Sequence, residues 1–326
     1  MEWLKEESDM ANYVLRRMLQ AIPLLLGVSM ITFVIMHFAP GGPLAVYTQN
    51  PLVTIQDVER IKNVLGLDQP LHIQYIKWAY GMFSGNWGYT FFGGRPVLHV
   101  IAERIPATFL LMGTAMSIGI FLGMLVGLLG AVKRHSIFDY LATTGAMVAF
   151  SFPIFWFGLM AVFIFADKLG WFPSGGMYAL GGKKDLLDIL HHLVLPSVVL
   201  GLVIEAQWSR YTRSSFLEVL YQDYMRTARS KGVSRRRLLL RHAFPNAVAP
   251  LIALGGLQIP WLFSGALVTE TIFSWPGLGR LFYDSLTVKE YPILMSLTMV
   301  GGVLVILGNL LADVAIAMVD PRVRLE

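Results

Sequence analysis

The sequence contains no cysteine and has few charged residues. The absence of cysteine excludes disulfide bonds, thiolate catalysis and cysteine-ligated metals from this chain. Only 14% of its 326 residues are charged, whereas a soluble domain usually carries about 25%. Hydrophobic residues make up 55%, an excess that a chain of this length does not need for a soluble core. These proportions predict an integral membrane protein.

Long stretches without charge recur along the chain, and about 20 apolar residues suffice for one helix to cross a bilayer. The predicted spans are residues 18–39, 105–132, 140–166, 193–209, 249–268 and 293–319. Gly119, Gly123 and Gly127 share one face of the second span, which predicts the close approach of another helix. The sequence Ser-Phe-Pro at 151–153 predicts a kink in the third span.

The distribution of lysine and arginine predicts the orientation. Basic residues concentrate in segments 1–17, 133–134 and 210–241, which the positive-inside rule assigns to the cytoplasm together with both termini. The net charge of +5 is therefore explained without nucleic acid as a partner. The resulting organisation is an N-terminal tail and first helix, an extracytoplasmic loop region, a five-helix membrane domain with a cytoplasmic loop at 210–249, and a C-terminal tail. Their bounds are 1–39, 40–104, 105–319 and 320–326.

The extracytoplasmic region is about one fifth of the chain. Residues 54–65, with Thr54 as N-cap, and residues 71–83 are each predicted to form a helix. Two compatible interpretations remain open: a lid over the spans, or a docking surface for a protein that delivers substrate. Trp87, Trp275 and Arg280 are the candidate docking residues.

Three polar side chains interrupt the apolar spans. Glu205 lies in the fourth span, where a carboxylate is costly unless it faces a partner or water. It either pairs with Arg210 or Arg213 at the inner boundary or contributes to the pathway or its gating. Asn309 and Asp313, in the inner half of the last span, are further pathway candidates.

No motif in the sequence predicts catalysis or a bound cofactor. His191 and His192 lie near Asp188, but adjacent histidines point to different faces of a helix, so we predict no metal site. The glycines near Lys183 lack the spacing of a phosphate-binding loop. We expect neither a catalytic residue nor a cofactor on this chain.

The most basic stretch, residues 222–250, lies between two predicted spans. Ser215 is predicted to cap a helix over 216–231, with Glu218 completing a capping box. Gly232 would end this helix. A second helix over 235–244 would then be ended by Pro245. The charge alone fits a loop attracted to anionic lipid headgroups, whereas the helix–glycine–helix order favours the docking of a protein partner.

Residues 223–232 read Asp-Tyr-Met-Arg-Thr-Ala-Arg-Ser-Lys-Gly. This segment resembles the cytoplasmic "EAA" loop of ABC importer permeases, in the form typical of the dipeptide/oligopeptide branch. Ala228, Gly232 and Pro245 match the general pattern, and Arg226 replaces its glutamate. Further stretches that resemble this branch are residues 15–17, 39–41, 65–70, 95–97, 151–156, 270–280 and 320–322, so that the resemblance covers nearly the whole chain. Gly42 and Asn86 depart from the acidic residues that the family usually has there.

The resemblance implies an all-α type I ABC importer permease with six transmembrane helices, in the inner membrane of a bacterium or archaeon. It implies as partners a second, similar permease, two ATPase subunits that bind ATP and Mg, and an extracytoplasmic binding protein. The substrate would be a di- or oligopeptide; nickel, opines and oligosaccharides stay open. An ion-coupled secondary carrier is disfavoured because it would need carboxylates at mid-span, whereas Glu205 and Asp313 both lie near the inner ends of their spans. The residues expected to couple to the ATPase are Glu218, Gln222, Asp223, Arg226, Thr227, Ala228, Arg229, Lys231 and Gly232.

Overall fold

The computed structural model describes residues 2–39, 42–44, 48, 54–64, 66–179, 181, 185–264 and 266–319. Three features of the sequence lie wholly or partly outside the described residues: the predicted helix break at Pro40, the glycines near Lys183 and the tail 320–326. The described part is almost entirely helical, and its only β-type pairing is an isolated bridge between Tyr89 and Pro96.

The helices are numbered here in chain order. They are α1 Glu2–Phe38, α2 Ile55–Val64, α3 Leu71–Phe83, α4 Val97–Val132, α5 Ile137–Ser151, α6 Ile154–Lys168, α7 Leu186–Leu220, α8 Asp223–Ser230, α9 Arg235–Gln258, α10 Trp261–Ser264, α11 Leu267–Ile272, α12 Leu278–Thr287 and α13 Tyr291–Val319. Both helices predicted before the second span are confirmed, and α3 has the predicted bounds.

Five of the described helices are long and apolar enough to cross a membrane: α1, α4, α7, α9 and α13. Helices α5 and α6 pass the same test together and make a sixth span if they are counted as one. The chain bends by 101° between them, because Pro153 lacks an N–H and forces the preceding Phe152 into an extended conformation. The predicted kink is therefore a complete break.

Several predicted helix bounds are corrected. Helix α4 begins at Val97 instead of residue 105, and α7 covers Leu186–Leu220 instead of 193–209. Charged residues end an uncharged run but do not end a helix, since their side chains can reach beyond the hydrocarbon. Span five was placed at 249–268, whereas α9 runs from Arg235 to Gln258.

Pro245 does not end a helix as predicted. The chain widens into a π-helical segment over Leu238–Ala243 immediately before this proline, and α9 continues to Gln258. A π-helical segment interrupts the regular hydrogen-bond ladder, and Pro245 follows at the start of the next regular stretch, where a missing N–H costs least. The predicted short helix over 235–244 is thus the first part of a membrane span.

The chain divides into two compact units, Met1–Pro106 with Gly277–Leu307 and Ala107–Pro276 with Gly308–Glu326. In the first unit, the start of α4 packs against α12 and α13 through a cluster that includes Ile101 and Leu281. The buried Glu290 accepts hydrogen bonds there from the backbone N–H groups of Phe91 and Phe92. This carboxylate fastens the segment after α3 to the start of α13.

In the second unit, the glycine face of α4 packs directly on α7. A Cβ atom built on Gly119 would lie 2.6 Å from the carbonyl oxygen of Gly201, and one on Gly127 would lie 2.5 Å from that of Ser209. At Gly123 it would lie 2.5 Å from Cβ of Trp208. The predicted close helix approach is confirmed, because no side chain fits between these two helices.

Candidate functional site

The segment predicted to couple with a partner centres on the short helix α8, which we call the loop helix. Helix α7 ends at Leu220, and only Tyr221 and Gln222 separate it from the loop helix at Asp223. The predicted continuous helix over 216–231 is therefore wrong. Phe216 and Met225 lie nine residues apart, so in one straight helix they would face about 180° from each other. The break allows both side chains to enter the same cluster.

Met225 anchors the loop helix. Its side chain is fully buried, although the remainder of the helix is mostly exposed. It belongs to an apolar cluster with members from α4, α7 and α9: Ala131, Phe216, Leu238, Ala243 and Ala247. Ala228, one of the predicted coupling residues, packs against the same cluster from the side. The loop helix is thus attached to three long helices by apolar contacts.

The opposite face of the loop helix is polar and open. The side chain of Asp223 is 95% exposed and that of Arg226 is 71% exposed, with 3.5 Å between Oδ1 and Nη1. An ion pair this exposed contributes little to stability, so both groups can exchange it for a partner. Gln222, Thr227 and Lys231 are also exposed, so most of the predicted coupling residues are open to a partner. Arg229 is exposed too, but it lies four residues after Met225 and therefore on the side of the helix that faces the cluster.

Gly232 ends the loop helix as predicted. Its φ is +77°, in the left-handed region that favours glycine. Its N–H donates to the carbonyl of Arg229, and the N–H of Val233 donates to the carbonyl of Ala228. These two bonds form a Schellman motif, which satisfies the last carbonyls of the helix.

The predicted capping box at Ser215 and Glu218 is wrong. Both residues lie inside α7. The hydroxyl of Ser215 donates to the carbonyl of Ala247 at 2.7 Å, and so ties α7 to α9. Glu218 is exposed near the end of α7, so it stays beside the loop helix but does not belong to it.

A buried ion pair joins α5 to α7, and sequence reasoning missed it. Asp139 is buried and receives Nε of Arg213 at 2.6 Å and its Nη2 at 2.8 Å. Asp139 also accepts the backbone N–H of His135 at 3.0 Å. The expected pairing of Arg213 with Glu205 is therefore wrong. The available signal was an aspartate at the start of an apolar run, three residues after the Ser136 N-cap.

The pathway candidates lie on two helices. Glu205 is half-buried on α7, with the Ser209 side chain as its hydrogen-bonding neighbour. Arg210, its other proposed partner, lies over the ring of Phe150 at 6.0 Å. Asn309 is exposed and Asp313 is half-buried on α13. The two α13 residues are four positions apart and therefore lie about one helical turn from each other.

The three docking candidates differ in exposure. Trp275 is fully buried, and its Nε1 donates to the carbonyl of Ala107 at 2.8 Å. Its selection as a docking residue is corrected, because a buried indole supports the turn and cannot contact a partner. Arg280 is half-buried beside Asp284, with 3.6 Å between Nε and Oδ2. Trp87 is also half-buried and packs against the cluster at the start of α4.

Trp87 also lines a cavity of about 530 Å³ in the first unit. Phe33 and His37 of α1, Trp78 of α3 and Tyr291 of α13 are among the other lining residues. The aromatic rings of Phe33 and Trp78 lie 5.9 Å apart between centroids. Aromatic packing thus joins α1 to α3, which lies within the segment predicted to be extracytoplasmic.

The chain matches two family descriptions over almost its full length. Residues 119–325 match "Binding-protein-dependent transport system inner membrane component", and residues 10–112 match the N-terminal membrane component of the same systems. The oligopeptide transport system permease protein AppB of Bacillus subtilis is 42% identical over 316 residues, which cover 97% of this chain and 100% of AppB. The glutathione transport system permease protein GsiC of Salmonella typhimurium is 38% identical over 315 residues, or 97% and 99% of the two chains.

A solved structure has a fold similar to that of this chain. A chain of the MetNI methionine ABC transporter, in inward-facing conformations, aligns with a TM-score of 0.53 at 15% identity. The alignment covers 69% of this chain and 98% of that chain. Together with the helices described above, these similarities show that the chain belongs to the family of binding-protein-dependent transport system inner membrane components, as a multi-pass permease subunit with the type I ABC importer fold.

Proposed function

We propose that this chain forms half of the transmembrane pathway of an ATP-driven importer for di- or oligopeptides. The named specificities of two relatives, oligopeptide and glutathione, support a peptide substrate over nickel, opines or oligosaccharides. The partners would be a second, similar permease, two ATPase subunits and an extracytoplasmic binding protein. Residues 40–104 would lie outside the cell membrane, and both termini and the loop helix would lie in the cytoplasm. Residues 105–319 would form the ABC transmembrane type-1 domain.

The loop helix is the proposed contact with an ATPase subunit. The observation that carries this proposal is its two-sided construction, with a fully buried Met225 beneath and the exposed Asp223 and Arg226 above. Such a helix can transmit force, because a push on its polar face reaches α4, α7 and α9 through apolar contacts that are close-packed and barely compressible. ATP and Mg would be bound by the ATPase subunits and not by this chain.

In the proposed cycle, ATP closes the ATPase subunits and the loop helix moves with them. The ion pair between Asp139 and Arg213 and the hydrogen bond from Ser215 to Ala247 keep α5, α7 and α9 together during this movement. The spans then rock from an inward-open to an outward-open arrangement. Glu205, Asn309 and Asp313 remain the proposed pathway residues, and Trp87 and Arg280 remain proposed contacts for the binding protein.

The decisive experiment reverses one charge on the exposed face. Arg226→Glu should lower ATP-driven uptake of a labelled tripeptide at least about tenfold in proteoliposomes, since a reversed charge at a protein contact costs on the order of 1–2 kcal/mol or more. Arg236→Glu is the matched control, because Arg236 is equally basic and exposed but lies on α9. Undiminished uptake by Arg226→Glu would overturn the coupling role.

The substrate class is tested in the same vesicles. Unlabelled di- and tripeptides should compete with uptake of the labelled tripeptide when the cognate binding protein is supplied. Nickel ions or oligosaccharides at the same concentration should not compete. The reverse order of competition would reject peptides as the substrate and leave the coupling proposal intact.

A further inference from the structure

A second cavity lies beneath the loop helix, within the second unit. Its volume is about 490 Å³, and its wall is formed by the ends of three long helices and by the loop helix itself. The apolar part of the wall consists of Ala131, Val132, Leu217, Leu220, Val233, Leu238 and Leu239. The polar lining residues are Arg134, Tyr221, Arg229 and Arg235.

The three arginines reach this cavity from three separate places in the chain. Arg134 follows α4, Arg229 lies in the last turn of the loop helix, and Arg235 is the first residue of α9. Among the residues that the structure describes, no carboxylate lines the cavity. Three cations around one cavity repel each other, so the arrangement favours an anion between them.

Two of the guanidinium groups are held in place by neutral partners. Nη1 of Arg134 donates to the hydroxyl of Tyr221 at 2.8 Å, and Nη2 of Arg235 donates to the carbonyl of Val132 at 3.2 Å. Each guanidinium has five N–H donors, so most of them remain available to a ligand. The guanidinium of Arg229 has no hydrogen-bond or ion-pair partner among the described residues.

The chemistry of the wall selects among anions. Guanidinium groups bind phosphate oxygens in a bidentate fork, which makes clustered arginines suitable for phosphate. A free phosphate ion would leave the apolar wall unused, whereas a phospholipid headgroup carries a glycerol and acyl chains that can cover it. Val132 and Arg235 are terminal residues of two membrane-crossing helices, and basic residues lie at both ends. Basic clusters next to the cytoplasmic end of a membrane helix attract the anionic headgroups of that leaflet.

We propose that this cavity binds the phosphate of an anionic phospholipid, held by Arg134, Arg229 and Arg235. The glycerol and the first acyl carbons would contact the apolar wall. A lipid bound there joins the loop helix to the ends of α4 and α9. This site is separate from the exposed face that carries Arg226, so it goes beyond the proposed function and can fail without it.

The test measures lipid binding to the full-length chain in nanodiscs of phosphatidylcholine with a trace of spin-labelled phosphatidylglycerol. Arg229→Ala with Arg235→Ala should weaken the labelled lipid's binding at least about tenfold, since two charge-assisted phosphate contacts are lost. The matched control, Arg236→Ala with Arg237→Ala, removes the same charge from exposed residues that do not line the cavity. It should bind the lipid as tightly as the unchanged chain.

The single variant Arg229→Ala keeps the test decisive if the double variant does not fold. It should fold normally, because the Arg229 side chain has no bonding partner among the described residues. It should weaken lipid binding about threefold or more. Equal weakening in the cavity pair and the control pair would overturn the proposal, because only general surface charge would then act. Displacement of the lipid by millimolar inorganic phosphate would show a free-anion site instead.

The same measurement on the assembled transporter decides between a lipid and a protein occupant. Retention of the labelled lipid after the ATPase subunits bind supports the proposal. Its complete release would show that acidic side chains of the partner occupy the cavity, and would overturn it. Neither result depends on uptake, so failure here is distinguishable from failure of the coupling role.

Discussion

The loop helix and the segment that follows α3 are both short pieces of chain attached to long helices, but by opposite means. The loop helix is attached through Met225, which is fully buried in an apolar cluster. The segment after α3 is attached through the carboxylate of Glu290, which accepts two backbone N–H groups. Apolar packing does not depend on protonation, whereas a carboxylate contact does.

Burial raises the pKa of Glu290 above the ordinary glutamate range, although the N–H groups of Phe91 and Phe92 oppose this shift. The attachment after α3 is therefore expected to respond to pH, and the attachment of the loop helix is not. The difference suits the proposed roles. A force-transmitting contact must hold under all conditions, whereas a contact on the proposed outer side meets a variable pH.

The largest expected effect comes from Met225→Asp, which breaks the apolar attachment. A carboxylate without a partner in this cluster should cost about 4–5 kcal/mol and detach the loop helix. We expect ATP-driven tripeptide uptake to be abolished. Met225→Leu nearly conserves volume and should retain most uptake, since such exchanges cost less than about 1.5 kcal/mol. Equal uptake by the two variants would mean that this anchor transmits nothing.

The next effect tests the buried ion pair between α5 and α7. Arg213→Ala leaves Asp139 buried without its cation, which should lower the free energy of unfolding by about 3 kcal/mol. Thermal unfolding in detergent checks this. Adding Asp139→Asn should restore part of the loss, because the unpaired charge is then removed. The effect of Asp139→Asn on the free energy of unfolding is measured both in the unchanged chain and in Arg213→Ala. The same loss in both backgrounds would show that the two residues are not coupled.

Glu290→Gln tests whether the attachment after α3 depends on pH. Because the pKa of Glu290 is raised by folding, its contribution is fully present below the unfolded value of about 4.3 and is lost as pH rises through the folded value. The unfolding temperature of the unchanged chain should thus fall by about 2–3 °C more than that of the variant over this window. The exposed Glu59→Gln serves as control and should keep the unchanged pH profile. Parallel profiles for Glu290→Gln and the unchanged chain would contradict the assignment.

The smallest expected effect is at the end of the loop helix. Gly232→Ala forces a side chain into a φ of +77° and should cost about 1 kcal/mol. Gly145→Ala is the control, because Gly145 lies in α5 with no atom within 4 Å of a built Cβ. That exchange should be neutral or stabilising by up to about 1 kcal/mol. If both exchanges shift the unfolding temperature in the same direction, glycine's left-handed conformation at position 232 does not stabilise the chain.

Features that depend on neighbouring residues could be predicted from the sequence. The apolar runs, the glycine face of α4, the break at Pro153 and the helix end at Gly232 each follow from a local pattern. The bilayer thickness sets the length of the apolar runs, side-chain size explains the glycine face, and backbone freedom explains the break and the helix end. Each of these causes acts within a few helical turns. The resemblance in the loop segment then indicated the family that the comparisons show.

Features that depend on tertiary contacts could not be predicted. No glycine or proline marks the turn at Tyr221 and Gln222, which exists because Phe216 and Met225 share one cluster. Arg213 has acidic residues nearby in the sequence, yet its partner is Asp139, 74 positions away. The burial of Trp275 likewise depends on a carbonyl of α4. Such contacts select one candidate among several that are chemically equal in the sequence.

The most direct test of the central claim, that the loop helix moves as one body with α7, is a distance measurement. The chain has no cysteine, so spin labels at Ser214→Cys on α7 and Thr227→Cys on the loop helix report a single distance, and both sites are exposed. We expect this distance to change by less than about 2 Å between the nucleotide-free and ATP-trapped transporter. A larger change would show that the loop helix moves independently of the spans, so that it could not transmit force to them.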